Sequence, residues 1–147
     1  MKVKECMSTD VELGNPQMPI CDAAQKMRDG DFGVMPIGDN DRIVGMVTDR
    51  DLVIRAVAEC KDPRQTTLQE IMSPGTLYCF EDQTVEEVAR NMGENQVRRL
   101  PVLNRDKRLV GMISLGDLAL SDEDRDEVEV ALSKISRHQI PMHEQRM

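Results

Sequence analysis

Aromatic side chains are scarce in this chain of 147 residues, which has no tryptophan, one tyrosine and two phenylalanines. Proteins that bind single-stranded nucleic acid rely on aromatic side chains that stack on bases and on a positively charged groove. The formal net charge of −8 has the wrong sign for a phosphate backbone. The composition therefore argues against a nucleic-acid partner and predicts a core of aliphatic and methionine side chains.

Long apolar runs are also missing. No stretch approaches the length that spans a bilayer, and the first residues, MKVKECMSTD, lack the apolar block of a secretion signal. We therefore expect a soluble, cytoplasmic protein without a membrane partner.

Motifs for catalysis or metal binding are absent from the sequence. There is no P-loop, no GxGxxG and no C-x-x-C pair. His138 and His143 lie five residues apart near the end of the chain, where two solvated side chains are expected rather than a loose metal site. The sequence predicts no enzyme activity, no catalytic residue and no metal site. Four widely spaced cysteines are expected to be reduced structural thiols: Cys6, Cys21, Cys60 and Cys79.

The chain contains one sequence unit twice, which is typical of a protein built from two copies of one domain. The second copy carries one extra residue in a polar stretch, where a hairpin connection tolerates it. The aligned segments are KECMS (4–8) with QEIMS (69–73), ICDAAQKM (20–27) with VEEVARNM (85–92), MPI (35–37) with LPV (100–102), and RIVGMVTDRDL (42–52) with RLVGMISLGDL (108–118).

Each copy predicts the same order of elements. Apolar residues at helical spacing predict amphipathic helices over 20–27 and 85–92, the second with Thr84 as N-cap and Glu87 three residues later. A strand pair follows in each copy, then a helix that is long in the first (Asp49 to about Cys60) and short in the second (Leu115 to about Leu120).

These patterns divide the chain into five segments. A last helix is expected from Ser121, with Val128, Ala131, Leu132 and Ile135 as its apolar stripe and Pro141 as its end. The predicted segments are a first repeat (3–60), a linker (61–66), a second repeat (67–120), a C-terminal helix (121–140) and a flexible tail (141–147).

A hydroxyl and an aspartate three residues apart occur at the strand-to-helix junction of both copies, as Thr48 with Asp51 and Ser114 with Asp117. One interpretation is a capping box, which needs no ligand. The other is a nucleotide site, because a helix N-terminus favours phosphate and a carboxylate there can accept ribose hydroxyls. Arg50 could add a charge-assisted bond to phosphate. Geometry alone leaves the two interpretations at even odds.

Two copies of a helix, an apolar-Pro-apolar strand and a Gly-x-x-[Ser/Thr]-x-x-Asp turn resemble a tandem pair of CBS domains, the module named after cystathionine beta-synthase. The resemblance covers residues 3 to about 120. It implies an α/β (α+β) fold of two β-α-β-β-α repeats with pseudo-twofold symmetry, here followed by a C-terminal helix. It also implies clefts between the two repeats that bind adenosine compounds: AMP, ADP, ATP, NAD or S-adenosylmethionine.

Carried over to this chain, the resemblance implies that Thr48 and Ser114 bind phosphate and that Asp51 and Asp117 hold ribose. It implies that the segments before and within the Pro-bearing strands line the adenine pocket: Gly33, Val34, Met35 and Pro36 in the first copy, and Arg98, Arg99, Leu100 and Pro101 in the second.

The two clefts are not expected to be chemically equivalent. Gly116 occupies the place of Arg50, and Arg98 that of Gly33. Arg98 or Arg99 could restore positive charge in the second cleft, or could be packed or ion-paired. We expect one stronger site, around Thr48, Arg50 and Asp51.

Three functions remain open from the sequence. The first is a non-catalytic sensor that binds an adenosine nucleotide and acts on an unidentified effector protein. The second is a structural or interaction protein with vestigial clefts, and the third a redox or stress-response protein. The helix DLVIRAVAEC (51–60) has apolar residues on more than one face, which predicts a homodimer, or burial against the C-terminal helix at comparable odds.

Overall fold

Residues 1–120 and 127–136 are described by a computed structural model of the chain, and they fall into two units. One unit comprises Asp10–Thr76, and the other joins Met1–Thr9 to the chain from Leu77 onward. The predicted tail and the predicted start of the C-terminal helix lie outside the described residues.

The unit of Asp10–Thr76 contains three helices and three strands. Its elements are α1 (Ile20–Gly30), β1 (Val34–Asp39), β2 (Arg42–Thr48), α2 (Asp49–Leu52), α3 (Leu68–Ile71) and β3 (Ser73–Pro74). The strands form one sheet in the order β1-β2-β3, in which every neighbouring pair is antiparallel. Helix α2 continues directly as a π-helical turn at Val53–Val57.

Local sequence explains how these elements begin and end. Helix α1 buries Ile20, Ala23 and Met27, which lie at helical spacing, against the sheet's core. The β1–β2 hairpin turns at Asn40 and Asp41, whose φ angles of 54° and 64° are those of a type I′ turn and suit these two residue types.

The second unit contains a sheet in the order β4-β5-β6, in which the central strand β5 is parallel to β4 and antiparallel to β6. A 3₁₀ turn at Val3–Glu5 belongs to this unit. Its other elements are β4 (Cys79–Phe80), α4 (Val85–Asn95), β5 (Arg99–Leu103), β6 (Leu109–Ser114), α5 (Leu115–Leu120) and α6, a helix across residues 127–136.

The structure agrees with the predicted repeat of β-α-β-β-α and adds one difference between the copies. Cys79 begins the first strand of the second repeat and pairs in parallel with Val102. At the equivalent place of the first repeat, Gly14 forms a single parallel bridge to Ile37. The mixed α/β fold is therefore confirmed, with the opening strand of the first repeat reduced to one bridge.

The helix ends agree with the sequence at Thr84 and differ from it near Cys60. The Thr84 side chain accepts a hydrogen bond from the Glu87 backbone N–H at 3.1 Å, as expected of an N-cap. The helical stretch that starts at Asp49 ends at Val57, three residues earlier than predicted, and residues 58–60 form a turn. In the described residues no helix combines the length and apolar character needed to cross a bilayer.

Candidate functional site

The β2–α2 junction of the first repeat forms a complete capping box. The Thr48 N–H donates to Asp51 Oδ2 at 2.9 Å, and the Asp51 N–H donates to Thr48 Oγ1 at 3.0 Å. The Asp51 side chain is only 17% exposed, and its other oxygen, Oδ1, lies 3.9 Å from Arg55 Nε. Arg55 in turn donates from Nη1 to the Ile71 carbonyl and to Ser73 Oγ.

The β6–α5 junction of the second repeat has the same geometry. The Ser114 N–H donates to Asp117 Oδ2 at 2.9 Å, and the Asp117 N–H donates to Ser114 Oγ at 3.1 Å. These bonds use one oxygen of each aspartate, so the capping interpretation and a ligand at the second oxygen are compatible. The two interpretations weighed from the sequence thus do not exclude each other.

A cleft of about 400 Å³ opens beside the second junction, within the size range of small-molecule pockets. It combines two arginines, one hydroxyl and several apolar side chains. The residues that line it are Arg98, Arg99, Ser114, Leu115, Gly116, Ala119, Val128 and Leu132.

The two arginines give this cleft a positive charge. Arg98 and Arg99 are exposed, and within residues 1–120 and 127–136 neither guanidinium group makes a hydrogen bond or an ion pair. An unpaired guanidinium offers donors in a planar fork that matches phosphate and carboxylate oxygens. Of the two expectations for these arginines, the described contacts therefore favour available charge over an internal ion pair.

The first repeat differs at the equivalent place because Asp49 stands where the second has Leu115. The Asp49 N–H donates to the Gly33 carbonyl at 2.9 Å, and the Leu115 N–H makes the same bond to Arg98 at 2.8 Å. A Cβ at Gly33 would lie 2.8 Å from Asp49 Oδ2, so this carboxylate lies directly against the glycine. The first junction is consequently more acidic than the second.

The remaining predicted residues lie on the strands beside the two junctions. Met35 and Leu100 are fully buried in their own cores, and Pro36 and Pro101 are buried beside them. Val34 opens β1 opposite Thr48, as Arg99 opens β5 opposite Ser114. These strands therefore place one end next to each hydroxyl, while Met35 and Leu100 serve packing.

Sequence reasoning did not predict five of the residues that line the cleft: Leu115, Gly116, Ala119, Val128 and Leu132. Leu115 could have been found by comparing TDRD with SLGD position by position, since it replaces an aspartate with an apolar residue. Val128 and Leu132 were assigned to the stripe of the C-terminal helix, but nothing in the stripe indicates which site it faces.

Two of the four cysteines, Cys79 and Cys6, have thiols that their surroundings make harder to ionise. Burial raises the pKa of the Cys79 thiol to about 12, and burial together with Asp117 and Glu5 raises the pKa of Cys6. A raised pKa keeps a thiol protonated and unreactive at neutral pH. Within the described residues no group of three His, Cys, Asp or Glu side chains could hold a metal ion, and His138 and His143 lie outside them.

Two copies of the Gly-x-x-hydroxyl-x-x-Asp turn, each at the end of its own three-stranded sheet, make the chain a tandem repeat of one α/β domain. The chain belongs to the CBS domain family, whose model matches residues 3–57 and 68–124.

Known proteins resemble the chain over most of its length. The uncharacterized protein YlbB of Bacillus subtilis is 38% identical over 92% of this chain and 91% of its own. Hypoxic response protein 1 of Mycobacterium tuberculosis is 38% identical over 79% of this chain and 81% of its own.

Two solved structures share the fold at useful identity. Hypoxic Response Protein I with two coordinated zinc ions has a TM-score of 0.73 and 37% identity, covering 81% of this chain and 97% of that one. The CBS domain pair of protein MJ0100, in complex with 5′-methylthioadenosine and S-adenosyl-L-methionine, has a TM-score of 0.71 and 26% identity, covering 81% and 93%.

Proposed function

We propose that this protein is a non-catalytic sensor that binds an adenosine nucleotide and changes its interaction with an effector protein accordingly. The observation that carries the proposal is the cleft of about 400 Å³ at Ser114, with Arg98 and Arg99 beside it. The bound adenosine compounds of the related MJ0100 domain pair support the adenosine class.

Each residue of the second cleft would have a distinct role. Arg98 and Arg99 would bind phosphate oxygens, and the Ser114 hydroxyl would add a further polar contact. Asp117 would accept ribose hydroxyls through Oδ1 while its Oδ2 stays in the capping box. Two guanidinium groups favour AMP, ATP or NAD over the positively charged sulfonium of S-adenosylmethionine.

In the first repeat, Thr48, Arg50 and Asp51 would take the corresponding roles. That this repeat holds the stronger site stays a prediction from the sequence. Charge favours the second repeat, because Asp49 adds a carboxylate beside Gly33 where the second repeat has Leu115. Arg50 is exposed, and its guanidinium makes no hydrogen bond or ion pair with the rest of the described chain, so it remains a candidate phosphate contact.

Calorimetric titration with AMP, ATP, NAD and S-adenosylmethionine tests the function, and two arginine variants separate the repeats. Arg98→Gln/Arg99→Gln and Arg50→Gln remove exposed charges and should alter stability by no more than about 0.5 kcal/mol. We expect the double variant to raise the Kd for phosphate-bearing ligands by roughly tenfold or more. Arg50→Gln should change the affinity less.

The same titration decides between the sensor and its alternatives. Absence of binding to all four compounds at millimolar concentration would refute the sensor and favour an interaction protein with vestigial clefts. A redox role at Cys79 or Cys6 is disfavoured, because their raised pKa values leave little thiolate at neutral pH.

Self-association is the second part of the proposal. Val53, Ile54 and Val57 are 54%, 49% and 68% exposed on one short helical stretch. Clustered exposed apolar side chains are typical of surfaces that another molecule covers. A second copy of the chain is the occupant that the predicted homodimer implies, because a twofold axis would bring this same surface of both copies together.

A further inference from the structure

Helix α6 is held in the second unit by specific contacts. Val128, Ala131 and Ile135 are buried in the core of that unit. A Cβ at Gly93 of α4 would lie 3.0 Å from Ala131 Cα, so the two helices approach closely because position 93 has no side chain. Gln96 Nε2 also donates to the Lys134 carbonyl at 3.2 Å.

The same helix contributes an apolar side to the cleft. Val128 and Leu132 line it together with Arg98, Arg99 and Ser114. Leu132 remains 47% exposed although α6 is packed on its unit, so a ligand in the cleft could cover apolar surface there. The cleft is therefore polar and positive in one part and apolar in another, as a nucleotide with phosphate and purine requires.

We propose that α6 forms part of the ligand site: Leu132 and Val128 contact the purine of a phosphate-bearing adenosine nucleotide whose phosphate meets Arg98 and Arg99. This inference rests on the proposed function and deepens it. The family model ends at residue 124, so α6 lies outside the two repeats that it matches. The ligand then contacts both α6 and the arginines of the second repeat, so ligand binding and the packing of α6 stabilise each other.

Leu132 and Val130 provide a matched pair for the test. They lie on the same helix with nearly equal exposure, 47% and 48%, but only Leu132 lines the cleft. We expect Leu132→Ser to raise the Kd for ATP and AMP roughly three- to tenfold through lost apolar contact. Val130→Ser should leave the Kd unchanged, and both variants should unfold without ligand at the wild-type temperature.

Hydrogen exchange of the α6 amides gives a second readout. Because the coupling is reciprocal, saturating ATP should slow exchange across residues 127–136 in the wild type, and less so in Leu132→Ser. Equal affinities of Leu132→Ser and wild type, or equal losses in Leu132→Ser and Val130→Ser, would overturn the inference. So would α6 exchange that ATP leaves unaltered.

The outcomes also separate this inference from the proposed function. If the wild type binds none of the adenosine compounds, the sensor function fails and the role of α6 fails with it. If Arg98→Gln/Arg99→Gln weakens ATP binding while Leu132→Ser does not, the proposed nucleotide site stands, and the inferred contact between α6 and the purine is wrong.

Discussion

Gly45 and Gly111 hold equivalent positions in the two repeats, and at each one a neighbouring backbone passes where a side chain would stand. A Cβ at Gly111 would lie 2.6 Å from the Ser8 carbonyl oxygen. A Cβ at Gly45 would lie 2.8 Å from that of Ser73 and 2.7 Å from Met72 Sδ. The repeated glycine of GMVT and GMIS thus makes room for a neighbouring backbone segment, β3 at Gly45 and the bridge at Ser8 at Gly111.

Alanine at either glycine should destabilise the protein. Neither backbone can move away without breaking its pairing, so we expect Gly45→Ala and Gly111→Ala each to lower the free energy of unfolding by about 1–3 kcal/mol. Gly38→Ala is the control, because its nearest neighbour would be the Arg42 carbonyl oxygen at 3.5 Å. Denaturant unfolding measures all three, and a loss in Gly38→Ala as large as in the other two would contradict this steric explanation.

At the scale of single residues, the sequence predicted local hydrogen bonds better than the contacts that a residue makes with distant segments. The Thr48–Asp51 and Ser114–Asp117 pairs form the expected capping bonds because those bonds are local. The proximity of Asp49 to Gly33 and of Leu132 to Ser114 depends on how distant segments pack. No local pattern encodes such contacts, so the charge and shape of the two junctions had to come from the structure.

Among the elements, amphipathic helices and the two hairpins were predictable because their signals lie within one short segment. Helix α1 starts at Ile20, as its apolar spacing indicated, and the extra residue of the second copy falls in the turn between β5 and β6. The π-helical turn at Val53–Val57 and the single bridge at Gly14 were not predictable, since neither has a distinctive local pattern.

The π-helical turn bears the apolar surface proposed for self-association. We expect Val57→Asp to convert a dimer into a monomer of 16.6 kDa, because a charge at Val57 would be buried without a partner in the interface. Light scattering after size-exclusion chromatography, over a range of concentrations, measures the mass. Leu120→Asp is the control, since Leu120 is more exposed and lies in the other unit. A wild type that stays monomeric at high concentration would rule out this interface.

Over the whole molecule, the units do not coincide with the repeats of the sequence. Ser8 exchanges two backbone hydrogen bonds with Met112 of the second repeat, at 2.8 and 2.9 Å. Its counterpart in the alignment, Ser73, pairs with Met46 of the first repeat. The internal alignment showed that residues 4–8 and 69–73 are equivalent. Because both sheets have an equivalent edge, either segment could have paired with either sheet. Sequence alone could therefore not assign each segment to its sheet.

This connectivity predicts which half of the chain folds by itself. A fragment of residues 10–76 retains one complete unit, whereas a fragment of residues 1–66, nearly the same length, follows the repeat boundary. The shorter fragment lacks Leu68 and Ile71, which are 0% and 1% exposed in the core, and the strand that pairs with β2. Losing a buried leucine or isoleucine side chain typically costs about 2–5 kcal/mol, comparable to the whole stability of so small a unit.

Circular dichroism and thermal unfolding of the two fragments measure the difference. We expect residues 10–76 to show a cooperative transition, and residues 1–66 to show a weaker one or none. Leu68→Ala within the longer fragment is the control, because it should lower the unfolding temperature toward that of residues 1–66 without changing the length of the fragment. Equal transitions in both fragments would mean that the repeat, and not the unit of Asp10–Thr76, is what folds.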